Sequence, residues 1–454
     1  MANAKKIKIG ETTYDFKDQS ASTSINSLTS RVSSLETDVS DLNENKLDEN
    51  FYINNIAGIG ELTTYMSDVL NAGVKQATVT IGTSDNEYSS TVCDFVCTGS
   101  NDNTAFQSAI NALPENGGKI VILDGEYTIK KLLTCNKNVI FEGMGDGTII
   151  KFDAESNSSA NTGFLNITSA KHIVLRDMKI TVGGRLNTWG SGNTDEYFIK
   201  GTGGTGSILL IDNCNISSKS TNRINITYNN SYFIAGFNNV IVNNSNFMLY
   251  FTTTTASCFN LFNSDSSNST HIVNTSLNIN ITKLLDFHLI GGPIINSNSR
   301  SSNLTNSYVL IYLDASGQSA NIGNCIKVTD STIILSGVSG ISFGNCNHGG
   351  GNTYTNTKIR NSYGTIYLDA RRVIDCSIYS SSDIFLRPHG YSSVSYNSII
   401  VSNNHIYGNA IKCYFGSTDV IFTNNIVNKS VTTINSASSK SIIKDNIVGD
   451  TQVI

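Results

Sequence analysis

Three prolines, a single tryptophan, and charged side chains making up only 15% of the 454 residues are the first limits this chain sets on itself. The formal net charge is −5. There is thus no basic surplus to neutralise phosphates, and a nucleic-acid partner is not expected. No apolar run reaches the roughly 18 residues that cross a bilayer. The lysines of the opening MANAKKIKIG precede no apolar core, so neither membrane insertion nor a secretory signal is read. The nine cysteines are odd in number and scattered, as Cys214, Cys325, Cys376 and Cys413 show. None has the paired spacing of a zinc site, and neither a metal nor a cofactor is expected. Cys93 and Cys97, the closest pair, would sit about 13 Å apart on an extended strand, beyond disulfide reach. The cysteines read as small buried residues of a chain made in a reducing compartment. Glutamate is absent after Glu196, so acid–base work beyond that point would fall to aspartate or histidine.

What is abundant is asparagine, serine, threonine and glycine, in one recurring frame. From Ile120 onward the pattern apolar, any, Asn or Asp, any, any, apolar returns around Asp177, Asn213, Asn244, Asn274, Asn306, Asp330, Asn356, Asp375, Asn403, Asn424 and Asp445. The spacing runs from roughly 19 to 36 residues and settles near 21, the range of solenoid coils. Each coil is expected to lay short strands into parallel sheets along one axis, with alternate side chains pointing into a shared core. Asn and Asp suit a sharp corner, because both tolerate unusual backbone angles and bond nearby amides. Stacked Asn side chains can also bond one another from coil to coil. These corner residues are therefore read as structural.

The first ninety residues differ. KKIKIGETTYDFKD alternates apolar and polar residues and predicts a small strand pair. Ile25, Leu28, Val32, Leu35, Val39 and Leu42 then form a narrow heptad seam flanked by polar residues, the mark of a coiled coil. β-Branched residues alternating with leucine lean towards a dimer. The domain reading is an attachment segment at 1–22, a coiled-coil stalk at 23–50, a jointed neck at 51–90, and the repeat with its cap at 91–454.

Residues 91–129 join the halves. Asp102 and Asn103 can each supply an N-cap oxygen to a helix whose Ala105, Phe106, Ala109, Ile110 and Leu113 share one face. Pro114 ends it, and Gly117-Gly118 turn into the strand that begins at Lys119. A one-faced helix ahead of a repeat fits a lid over the open end of the solenoid. An aspartate-led strand, a Gly-x-Asn-Asp loop, an Ala-rich helix and a Gly-Gly-Lys strand in this order resemble the entry segment of the pectate-lyase-like β-helix proteins, including many bacteriophage tailspikes. The resemblance implies an all-β fold: a right-handed parallel β-helix with a short cap helix, behind an N-terminal coiled-coil arm. It also implies a homotrimer in the virion tail, synthesised in the host cytoplasm. Its N-terminal arm would meet phage tail or baseplate proteins, and its repeat a host surface polysaccharide. The opening strand pair similarly resembles the attachment pieces of tail fibres. The fold hosts lyases, hydrolases and inert adhesins alike, so it leaves enzymatic activity open.

Candidate contact residues come from a second recurring strand. Aligning IYLD at 311–314, ISFG at 341–344, IYLD at 366–369, IFLR at 384–387 and IKCY at 411–414 places Tyr312, Ser342, Tyr367, Phe385 and Lys412 in one outward column. Asp314, Gly344, Asp369, Arg387 and Tyr414 form the column beside it. Aromatic faces among carboxylates and an arginine suit a saccharide. On this alignment Asp314 and Asp369 would lie two coils apart, roughly 9.5 Å, near the separation of the carboxyl pair in inverting glycosidases. They are the candidate catalytic pair, and Asp369 and Arg387 would be close enough to pair with each other. Trp189, in the loop GGRLNTWGSGNTDEYF, is a further candidate for stacking on a sugar or for packing against a neighbouring subunit. Three readings stand: a receptor-binding spike, a depolymerase that cuts the glycan it binds, or a structural tail part.

Overall fold

A tight corner without glycine requires a side chain that tolerates the left-handed backbone region, and Asn and Asp do so best. In the computed structural model all eleven frame residues adopt it, with φ between 44° and 58°. The structure describes residues 6–9, 12–15 and 77–453 apart from 154–162, 171, 184–194, 202–205, 219–222, 227–229, 254–257, 264–268, 283–285, 292–301, 314–318, 322–325, 338–339, 344–351, 388–398, 415–419, 429–430, 436–441 and 450. The coiled-coil seam lies outside these residues. The chain divides into two compact units, Met1–Lys75 and Gln76–Ile454. In the first, Lys6–Ile9 and Thr12–Asp15 pair antiparallel, as their alternation predicts.

The second unit is a right-handed parallel β-helix with three strand faces per coil. One coil shows the layout. His172–Gly183 runs along the first face, bends at Asp177 and continues on the second face; Asp195–Lys200 follows on the third. On the first face Leu175 is in register with Phe141 and Ile211, on the second Ile180 with Ile150 and Ile216, and on the third Ile199 with Leu165 and Ile234. These positions repeat at alternate residues and form one continuous apolar core along the axis. In the early coils that core is aromatic: Phe198 stacks on Phe233 at 4.6 Å and on Phe164 at 5.5 Å. Later coils use Ile, Leu and Val, as at Ile366, Leu368, Ile384 and Leu386.

The solenoid begins earlier than residue 91. Thr78–Thr83 lies parallel to both Gly118–Ile122 and Phe95–Cys97, so the stretch read as the end of a neck is already the first strand of the sheet. The cap helix spans Asn103–Ala112 and buries Phe106, Ala109 and Ile110, with Phe106 edge-on to Tyr127 at 5.7 Å. The expected capping oxygens are used differently. Asp102 occupies the N-cap position without capping the helix. Its buried carboxylate accepts from the backbone N–H groups of Thr98 (2.9 Å), Gly99 (3.2 Å) and Thr128 (2.8 Å). Asn103 accepts from Lys130 N–H at 2.9 Å and donates to the Lys131 carbonyl at 2.6 Å. Both side chains fasten the lid to the strand it covers.

The residue after each corner completes the design. Met178, Cys214, Ser245, Thr275, Ser307, Ser331, Thr357, Cys376, Asn404, Asn425 and Asn446 occupy this position, and the polar ones among them are buried. Its amide is commonly captured by the side-chain oxygen at the same place one coil on. Ser245 takes Cys214 N–H at 3.1 Å, Ser307 takes Thr275 N–H at 3.2 Å and Ser331 takes Ser307 N–H at 3.2 Å. Asn404 takes Cys376 N–H at 2.8 Å and Asn425 takes Asn404 N–H at 3.1 Å. In the last three coils Asn404, Asn425 and Asn446 also bond amide to amide at 2.9 Å. The corners themselves ladder in places, as Asn356 donates to Asp330 at 2.7 Å and Asn306 to Asn274 at 2.8 Å.

Two stability outcomes follow from unsatisfied buried amides. Asp102→Ala is expected to cost about 3 kcal/mol, because backbone donors lose a charged acceptor. Asn425→Leu is expected to cost roughly as much, since the backbone and side-chain N–H groups of Asn404 lose their acceptor and the Val401 carbonyl its donor while the branched shape is kept. Urea denaturation followed by far-ultraviolet circular dichroism measures both; a loss under ~0.5 kcal/mol in either would contradict the assigned role.

Candidate functional site

The backbone register tests the alignment from which the candidate residues came. On the third face, Ser342 pairs with Tyr367, Tyr367 with Phe385, and Phe385 with Lys412, as expected. Asp369 is in register with Arg387, one coil apart; their side chains, and that of Tyr414, lie outside the described residues. Tyr312 is elsewhere. Its strand, Tyr308–Leu313, belongs to the second face, where Tyr312 pairs with Asn280 and Ser336. Ile311–Leu313 thus sits on a different face from the matching Ile366–Leu368, and the third-face strand of that coil is Ser319–Asn321. The column that was to run from Tyr312 to Tyr367 is not formed. Asp314 and Trp189 themselves lie outside the described residues.

The third-face aromatics largely satisfy one another. Tyr367 stacks on Phe385 at 4.8 Å and 19°. The far side of Phe385 is covered by the Lys412 ammonium at 4.9 Å, which also pairs with Asp383 at 2.7 Å. Tyr197 and Tyr232 stack at 5.4 Å and 11°, with Lys200 over the Tyr197 ring at 4.9 Å. Rings stacked along the axis give their faces to each other and their edges to the outside, a poor platform for a sugar.

The second face is different. Tyr308, Tyr312, Tyr379 and Tyr407 expose 42%, 40%, 44% and 41% of their surface. Tyr308, Thr332, Lys358, Ser377 and His405 follow one another in register, and a parallel column runs Ile334, Arg360, Tyr379, Tyr407. The Arg360 guanidinium lies 5.2 Å from the centre of the Tyr379 ring, a cation–π contact that orients both. Where this face meets the corner, Asp330, Thr332, Asn356, Lys358, Asp375 and Ser377 line a cleft of about 190 Å³. The arrangement can offer ring faces, carboxylate acceptors and cationic donors to one elongated polar ligand. Reading Asp330 and Asp375 from sequence as corner residues identified their backbone role; the cleft they border depends on which side chains the neighbouring coils bring beside them.

Among the described residues, three other features bear on chemistry. The thiols of Cys135, Cys214 and Cys376 are pushed up to about 11, 12 and 11 by burial, which disfavours a thiolate nucleophile. No group of three or more His, Cys, Asp or Glu is placed to hold a metal. One Ser–His contact exists on the first face: Ser269 Oγ lies 3.0 Å from His271 Nε2, and Asn303 Nδ2 lies 3.1 Å from His271 Nδ1. Ser269 donates its own proton to Asn239 Oδ1 at 2.6 Å. A neutral ring protonated at Nε2 satisfies all three contacts, with Asn303 donating to Nδ1 and Nε2 donating to Ser269. A histidine that donates to serine cannot take the serine proton, so this buried chain of bonds is structural rather than a nucleophile and its base.

No family model matches the chain, and no curated protein does. Among solved structures it is similar to the A-module of mannuronan C-5 epimerase AlgE6 from Azotobacter vinelandii, at 15% identity and a TM-score of 0.41 over 79% of this chain and 99% of that one. It is also similar to ORF18 of Geobacillus virus E2, at 14% identity and a TM-score of 0.27 over 80% of this chain; it spans 61% of that protein. At these values neither likeness bears on function.

Burial lowers the pKa of His271 from 6.5 to about 4. The unfolded chain therefore binds a proton that the folded chain refuses between those values, and stability falls as pH drops through the window, by about 3 kcal/mol in full. His271→Gln is expected to flatten this dependence while lowering stability at pH 7. Urea midpoints from pH 7 to pH 4 compare the two proteins; parallel curves would remove the assignment.

Proposed function

We propose that the chain is a tail appendage of a phage or phage-derived particle that binds a surface polysaccharide of its host through the second face of the β-helix. The observation that carries this is the set of exposed tyrosines, Tyr308, Tyr312, Tyr379 and Tyr407, interleaved with Lys358, Arg360 and His405 along the axis. A rigid parallel sheet repeats side chains about 4.8 Å apart. A linear glycan laid along it meets apolar ring faces for its own ring faces and charged or hydroxyl groups for its hydroxyls. The entry segment at residues 91–129 and the opening strand pair support the phage context by resemblance; the resemblance implies three copies, which the seam at 25–42 would gather. The contact residues of this reading differ from those the sequence favoured: Tyr312 stays, Tyr379 and Tyr407 join it, and Tyr367 and Phe385 serve mainly to brace the third face.

Incubating the purified protein with a panel of bacterial surface polysaccharides tests the reading. Tyr379→Ala with Tyr407→Ala is expected to weaken binding at least tenfold without shifting the unfolding midpoint, a loss of about 1.4 kcal/mol or more. Binding without reducing-end release identifies a receptor-binding protein, and release identifies a depolymerase. Failure to bind any polysaccharide or host cell would leave a structural tail part as the function.

A further inference from the structure

Nothing in the fold requires charge at Asp330 or Asp375. Both take the left-handed corner conformation, at φ 51° and 57°, which Asn adopts at seven other corners between 44° and 57°. The hydrogen bond that Asp330 receives from Asn356 would be accepted equally by an asparagine oxygen. Yet these two carboxylates stand two coils apart on either side of Asn356, at the rim of the corner cleft, with Lys358 between them on the second face. The cleft, about 190 Å³, is lined by polar residues, so it does not suit an apolar ligand. Its floor is part of the column that runs through Tyr308, Thr332, Lys358, Ser377 and His405, with Tyr379 one column over. Tyr308 lies one coil before the cleft, and Tyr379 lies in the cleft's last coil, beside Ser377 on the same strand.

We propose that this corner cleft is a subsite for one uncharged sugar unit of the polymer, its hydroxyls donating to Asp330 and Asp375 and accepting from Lys358, with the preceding unit on Tyr308 and the Tyr379 ring beside the bound unit. The inference rests on the glycan-binding reading above and sharpens it. Two carboxylates face one ammonium in the cleft, so a uronic acid or other anionic sugar meets net repulsion while a neutral hexose or N-acetylhexosamine does not. The role is binding and discrimination; no bond is made or broken here.

The corner conformation supplies a clean test, because Asp→Asn keeps both the backbone preference and the shape. On an array carrying neutral, N-acetylated and uronate polymers, the full chain is expected to bind neutral or N-acetylated features. Asp330→Asn/Asp375→Asn should bind them about tenfold more weakly, with unchanged thermal unfolding, because hydrogen bonds to charged acceptors are roughly twice as strong as those to neutral ones. The same variant should gain on uronate features. Unchanged affinity in this variant, or wild-type binding confined to anionic features, would overturn the subsite while leaving the glycan reading intact if Tyr379→Ala still weakens binding. Wild-type binding to no feature would overturn both.

Discussion

The capture of the amide after the corner by a side-chain oxygen from the coil that follows, repeated in most coils, is the interaction on which the solenoid depends. A left-handed corner turns the chain through a sharp bend and buries the next residue's N–H where water cannot reach it. Such a group costs about 1–3 kcal/mol if left alone. Ser, Thr or Asn at the position after the corner supplies the oxygen, and the same residue presents its own amide to the next coil. The bend is therefore affordable only as part of a column. This is why the corner residue and the small polar residue beside it recur together, whatever lies in the loops between them.

Once that column is set, the outer faces are free to differ. The first face hides Ile140, Val174, Leu210 and Ile241 and then the His271 hydrogen-bond chain. The third closes its rings on each other and on Lys412. The second leaves tyrosines standing in solvent. Aromatic content alone cannot separate these cases, because a stacked ladder and an open platform use the same residue types. Sharing a column does not separate them, because Tyr379 and Tyr407 are in register just as Tyr367 and Phe385 are; what differs is that Tyr379 and Tyr407 keep 44% and 41% of their surface in solvent.

The parts of the structure legible in the sequence are those fixed by local geometry. All eleven corners were recognisable because the left-handed conformation admits so few side chains. The cap helix was readable from its apolar face and from the Pro and Gly that end it. The small polar residue after the corner was within the same frame, yet its meaning appears only when two coils are stacked. The face assignment of Tyr312 was not legible. Ile311-Tyr312-Leu313 and Ile366-Tyr367-Leu368 alternate identically, and coil lengths that vary from 19 to 36 residues between corners leave the face undetermined until the register is known. Asp102 shows the same limit: a residue type that caps helices was spent on the amides of Thr98, Gly99 and Thr128 because a buried carboxylate needs several donors.

The amide column also has a direction. Cys214 leans on Ser245, Ser245 on Thr275, Thr275 on Ser307, and Asn404 on Asn425, always from the earlier coil to the later one. At the opposite end the lid is tied down by Asp102 and Asn103. Removing a later coil takes the acceptor from its predecessor, and removing an earlier one takes a donor from its successor. The solenoid is thus chemically directional: a cut between two of these coils would leave a bare amide on one side and a bare acceptor oxygen on the other.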